Sequence, residues 1–171
     1  MMNYDYSVLE KLSSYVADIF NQNDDDIDHN SDISSLKFKL AINYFETLIN
    51  LFKDNISNYY ELFIYNKLGW LYYYWEKPLI AEKMFKQSLI NYTNEETDLN
   101  IVANNLFALS KIYSEFKEEE RSRTFLICSL FVYSKLEDEC MLEELENELE
   151  KYNITVEEVF ENCKDKYWSM F

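Results

Sequence analysis

Residues 65–88, YNKLGWLYYYWEKPLIAEKMFKQS, decide how this chain folds. Tyr65, Leu68, Gly69 and Tyr72 are followed by Ala81 and Phe85, at spacings of 3, 1, 3, 9 and 4. Antiparallel helices approach closely where a small residue on one faces a small residue on the other. The spacing therefore sets Gly69 against Ala81, with Leu68, Tyr72 and Phe85 filling the seam on either side. Pro78 suits the first turn of a helix, where its missing N–H costs nothing. The stretch predicts a helical hairpin, 56–76 followed by 78–92.

The hairpin has copies on both sides. Ala41, Phe45 and Leu48 align with Ala81, Phe85 and Ser88, 40 residues on, and these align with Ser122, Leu126 and Ser129, a further 41 on. Leu68, Gly69 and Tyr72 match Leu109, Ser110 and Tyr113, and more loosely Val16, Ala17 and Phe20. Three hairpins are expected: a degenerate one over 4–53, then 56–92 and 97–135. In the first, helices 4–22 and 36–53 are separated by an acidic surface loop, 23–35. Three stacked units suffice to bury a continuous core.

The spacing of Tyr65, Leu68, Gly69, Tyr72, Ala81 and Phe85 resembles the tetratricopeptide pattern W-x2-L-G-x2-Y…A-x3-F, with Tyr in the Trp place. The resemblance covers roughly residues 4–135 and is strongest in the middle unit. The step between small residues, 69 to 81 and 110 to 122, is the family's 12, but the period is 40–41 where the family has about 34. Lengthening each helix by about one turn accounts for the surplus. The lengthened form is similar to repeats of intracellular bacterial peptide-pheromone receptors. HEAT and armadillo repeats share the period but not Leu68-Gly69-x2-Tyr72.

The resemblance implies a right-handed superhelix with a concave groove lined by the first helix of each hairpin. Matched position by position, the groove residues are Phe63, Asn66, Trp70 and Tyr73, then Asn104, Phe107, Lys111 and Ser114. Asn66 and Asn104 would bond an extended peptide's backbone. Phe63, Trp70, Tyr73 and Phe107 would take apolar side chains, and Lys111 a carboxylate. The several bases of a chaperone-tail clamp are not present.

Composition agrees with an all-α chain. Among 171 residues stand one Gly and one Pro, too few for the tight turns of a sheet protein. A single domain over 1–171 with about eight helices is expected. Beyond 135 the character changes. Residues 136–152 are strongly acidic with Leu142, Leu145, Leu149 and Tyr152 at 3-4-3 spacing, while Asn153 and a Thr155/Glu158 capping box predict a break and a last helix over about 156–168. Residues 136–171 read as acidic capping helices; the same leucine seam would serve a homodimer through 136–163.

The formal charge of −16 is concentrated at the ends: −7 over residues 1–34, −10 over 137–165, and about +1 elsewhere. Such a chain repels nucleic acid and anionic membrane at long range. An acidic patch, Glu143, Glu144, Glu146, Glu148 and Glu150, offers an alternative function: a nucleic-acid mimic made by a mobile element or phage against a basic cleft. A third reading is a tetratricopeptide chaperone of type III secretion, on architecture alone.

Catalysis finds little purchase. The one histidine, His29, lies among Asp24, Asp25, Asp26, Asp28 and Asp32, without the glycine and ligand order of a calcium loop. No phosphate cradle, nucleophile elbow or metal-ligand spacing occurs, so no cofactor, no metal and no enzyme activity is expected. Cys128, Cys140 and Cys163 form no CxxC spacing and suit a reducing compartment. No basic segment leads into an apolar run at the start, and the longest apolar run, 125–133, is too short for a bilayer. The expectation is a cytoplasmic, non-catalytic adaptor or regulator that binds a protein or peptide.

Overall fold

The computed structural model describes residues 32–52, 58–90, 92 and 99–159. All the described elements are helical, with turns between them and no strand. The chain divides into two compact units, 1–48 and 49–171.

The described part of the first unit belongs to helix α1, Asp32–Phe52. It opens earlier than the sequence indicated: residues 32–35, assigned to the acidic loop, form its first turn. Its buried stripe is Phe38, Ala41, Ile42 and Phe45, at helical spacing. Leu40 and Tyr44, apolar and one helical turn apart, stand 56% and 37% exposed beside Leu36. The apolar positions of α1 are broader than one buried face can hold. The expected helix 4–22 and the rest of the loop lie outside the described residues.

The second unit holds α2 (Asn58–Tyr74), α3 (Pro78–Ile90), α4 (Leu99–Glu115), α5 (Glu119–Leu136) and α6 (Glu139–Glu150), with a further helical segment opening at Val156. Neighbours in sequence pack on one another, and α2 also touches α4. One apolar core runs from Leu62 through Val102, Leu106, Leu126, Leu130 and Phe131 to Leu145 and Leu149. A second joins Ala81 and Phe85 of α3 to Ala108, Leu109, Ile112 and Tyr113 of α4. Burying Phe85 alone contributes about 2–3 kcal/mol.

The two hairpins, α2–α3 and α4–α5, make the same bonds 41 residues apart. Glu76 N–H donates to the Tyr73 carbonyl at 3.0 Å and Lys77 N–H to the Tyr72 carbonyl at 2.9 Å; Lys117 to Ser114 and Glu118 to Tyr113 repeat both distances. These are Schellman caps, whose left-handed position favours glycine. Here Glu76 and Lys117 occupy it at φ 54° and 59°. Within each hairpin a buried serine on the second helix donates to a carbonyl of the first: Ser88 to Leu62 at 2.6 Å, Ser129 to Ala103 at 2.9 Å.

The close approach differs between the two. Ser122 Oγ donates to the Ser110 carbonyl at 2.8 Å, so that small pair meets as the sequence indicated. At Gly69 the nearest group is the Phe85 ring: a Cβ there would lie 2.5–2.8 Å from three of its atoms. The second hairpin has traded the pair, Ser110 with Leu126 where the first has Gly69 with Phe85. Volume moves from one helix to the other while the spacing stays.

A clasp ties the hairpins together. Tyr113 OH donates to Glu82 Oε1 at 2.6 Å, Lys86 pairs with the same carboxylate, and Lys86 and Arg121 both lie over the Tyr113 ring. Burial alone would raise the Glu82 pKa, but hydrogen bonds from Lys86 and Tyr113 outweigh it and hold the carboxyl below its ordinary value.

Beyond α5 the chain breaks as expected rather than running on as one coiled-coil helix. Glu137 and Asn153 take left-handed φ, and Asp138 caps α6 by accepting from Met141 N–H at 3.1 Å. The Thr155/Glu158 box closes reciprocally at 2.9 and 3.2 Å.

Two substitutions test this packing. Gly69→Ala gains about 0.5–1 kcal/mol of helix propensity but must displace the Phe85 ring, so urea unfolding should show a net loss of about 1–2 kcal/mol. In a Phe85→Leu background the same alanine should be neutral or stabilising. Lys117→Gly removes a left-handed side chain and should raise stability by up to about 1 kcal/mol.

Candidate functional site

At the end of helix α2, residues 70–75 (WLYYYW) place five aromatics and Leu71 in every direction around the chain. The structure sorts them by environment. Leu71 is fully buried, Trp70, Tyr72, Tyr73 and Trp75 are half-buried, and Tyr74 is exposed. Trp70 stacks on Tyr74, with centroids 5.5 Å apart, and meets Tyr73 and Phe85 edge-on at 5.7 and 5.4 Å. The aromatic cluster is thus anchored through Trp70 to the ring that fills the space above Gly69.

The two asparagines expected to face a ligand find each other. Asn66 Nδ2 donates to Asn104 Oδ1 at 2.9 Å and to Asn105 Oδ1 at 2.8 Å. Trp70 Nε1 donates to Asn104 Oδ1 at 2.5 Å. Asn105 Nδ2 in turn donates to Ser88 Oγ at 2.7 Å, and that hydroxyl is the one bonded to the Leu62 carbonyl. A string of polar groups thus runs from the aromatic face of α2, through α4, to α3 and back into α2. Asn66 is 4% exposed and Asn105 and Ser88 are fully buried. Buried amides require partners, and here each supplies the other's.

Tyr133 of α5 extends the string. Burial pushes its hydroxyl up to about 12, against the opposing hydrogen bond of Asn104. Asn104 therefore meets α2 on one side and α5 on the other.

The remaining positions expected on the groove lie further out. Tyr73 OH donates to Glu115 Oε1 at 2.6 Å. Burial first, then this hydrogen bond and the charges of Glu115 and Glu148, raise its pKa well above the usual tyrosine range. Lys111 Nζ sits 4.4 Å above the buried Phe107 ring and pairs with Glu144 of α6 at 3.2 Å. Ser114 is exposed and Phe63 half-buried. Of the eight positions, Asn66, Trp70 and Asn104 are directly bonded, Tyr73 and Lys111 reach α4 and α6 respectively through carboxylates, and Phe107 belongs to the core.

The acidic patch lies on α6. Glu143, Glu144, Glu146 and Glu150 are exposed and Glu148 half-buried, with Glu144 paired to Lys111 and Glu148 to Lys151. Such exposed pairs contribute little to stability. An open cleft of about 220 Å³ separates this patch from the segment opening at Val156.

Asn105, Ser88, Tyr133 and Glu115 were not among the sequence candidates. A signal existed for Asn105: it shares a face with Val102 and Leu109, so it had to be buried and therefore bonded. No group of His, Cys, Asp and Glu among the described residues is placed to hold a metal. Cys128 is buried and Cys140 exposed, neither in a disulfide, while His29 and Cys163 lie outside the described residues. No helix among the described residues is long and apolar enough to cross a membrane.

The string makes a graded prediction. Ser88→Ala strips a partner from both Asn105 and the Leu62 carbonyl, whereas Ser129→Ala, its counterpart in the second hairpin, strips only the Ala103 carbonyl. Chemical denaturation should show a loss of about 2–3 kcal/mol for the first and about 1 kcal/mol for the second. Equal losses would mean that the amide string carries no weight. The chain matches no family model, no curated protein and no solved structure.

Proposed function

We propose that this protein is a non-catalytic binding module: a tetratricopeptide-like right-handed superhelix whose concave face, along α2 and α4, takes an extended segment of a protein partner. One observation carries the reading. Positions that build the hairpin keep their role 41 residues on, as with Leu62 and Ala103, Ser88 and Ser129, or Glu76 and Lys117. The more exposed positions expected on the groove change character completely: Phe63 becomes Asn104, Trp70 becomes Lys111 and Tyr73 becomes Ser114. A repeat holds constant what packs it and varies what faces outward.

The buried string narrows the contact surface. Asn66, Asn104 and Phe107 support it from beneath, while Phe63, Trp70, Tyr73, Lys111 and Ser114 are left to meet a partner. Trp and Tyr are favoured anchors because they offer large contact area at little entropic cost. The acidic-mimic reading is the weaker one, since Glu144 and Glu148 already answer lysines of this chain.

The test is affinity capture from the native cell at low and high salt, read by mass spectrometry, with the fold of each variant checked by circular dichroism. Ser114→Trp, which blocks the groove from an exposed position, and Trp70→Ala should each lower partner recovery at least about ten-fold. Recovery should survive high salt. Unchanged recovery with both folded variants overturns the groove. Loss in high salt, reproduced by Glu143→Gln with Glu146→Gln and Glu150→Gln, supports the mimic instead.

A further inference from the structure

On α2 one cation has no acid among the described residues to answer it. Lys67 is half-buried, and its Nζ lies 5.2 Å from the centroid of the Phe63 ring. It forms no ion pair with any described residue, whereas Lys86, Lys111, Arg121 and Lys151 each have a glutamate. The helix itself offers no partner. The residues three and four positions away are Phe63, Ile64, Trp70 and Leu71, all apolar.

The repeat shows how unusual this position is. Forty-one residues on, its counterpart is Ala108, 1% exposed within the core that joins α3 and α4. The fold thus treats this position as interior in one hairpin and places an ammonium there in the other. Burial lowers the pKa of Lys67. A desolvated charge is costly without a counter-ion.

We propose that Lys67 is a carboxylate-binding residue: a peptide segment lying along α2 sets one carboxylate on its Nζ, with apolar contacts to Phe63 and Trp70. This rests on the groove reading above and names its ligand chemistry. A single ammonium balances a single negative charge, and a net charge of −16 repels polyanions such as nucleic acid. The aromatic neighbours favour an apolar group next to the acid. A chain terminus and an Asp or Glu side chain both present this chemistry.

The experiment uses the full chain with carbon-13 methyl groups on its lysines. Three probes are titrated: N-acetylphenylalanine, with a terminal carboxylate; N-acetylglutamic acid α-amide, with a side-chain carboxylate; and N-acetylphenylalaninamide, with neither. The Lys67 resonance is assigned by its loss in Lys67→Arg, and exposed Lys83 serves as the internal control. At least one acid should shift Lys67 saturably and bind about ten-fold more tightly than the amide. The stronger acid identifies the source.

Lys67→Met should abolish that preference and Lys67→Arg keep it. Because Lys67→Met removes an unanswered half-buried charge, it should melt at or above the wild-type temperature, which separates lost binding from lost fold. Acids that move Lys67 no more than Lys83, or an amide that binds as well as the acids, overturn the assignment. If the amide binds and shifts Trp70 while Lys67 stays indifferent to all three probes, the groove stands and the carboxylate site falls.

Discussion

The second unit depends on a run of buried and half-buried hydrogen bonds: Trp70 and Asn66 to Asn104, Asn66 to Asn105, Asn105 to Ser88, and Ser88 to the Leu62 carbonyl. Apolar contacts hold α2, α3 and α4 together but tolerate sliding, because one methyl group packs much like another. Amides do not. An amide displaced by one turn leaves donors and acceptors unpaired in a dry interior, at about 1–3 kcal/mol for each group. The string therefore acts as a register pin between neighbouring hairpins, while the core supplies the bulk of the stabilisation.

This arrangement also separates structural residues from those available for contact. The asparagines that looked ready to receive a peptide backbone are committed to one another. Above them stand Trp70, with its ring on Phe85 and its N–H on Asn104, and Tyr73, tied to Glu115. Side chains held at both ends lose little entropy when something binds, which is what an anchor requires. The surface is mixed in charge: Lys111 pairs with Glu144, and Tyr73 holds Glu115. A partner would meet a patterned surface rather than a uniformly acidic one, despite the net charge.

Much of the hairpin architecture could be read from the chain, because Gly69, Pro78, Ala81 and Phe85 each constrain the backbone in a way few residues do. The 41-residue repetition followed from aligning them. The helix ends at Glu76, Lys117 and Glu137 were placed only approximately, since glycine usually marks a left-handed cap and none is present there. The start of α1 was missed for a related reason: polar, acidic composition reads as loop, yet Asp32 and its neighbours suit a first helical turn. The fate of Asn66 and Asn104 was not legible. Spacing put both on one face but could not show that they lie within reach of each other across two helices. Lys67 was overlooked because one lysine on a helix attracts no notice; its four apolar neighbours were the available clue.

The register pin is tested most directly by a double-mutant cycle on Asn66→Ala and Asn105→Ala, measured by urea unfolding. If these amides bind one another across α2 and α4, the double variant should lose less than the sum of the single losses, by a coupling of about 1–2 kcal/mol. Additive losses, with coupling within about 0.3 kcal/mol of zero, would contradict the bonded string and the placement of α2 beside α4 that it fixes.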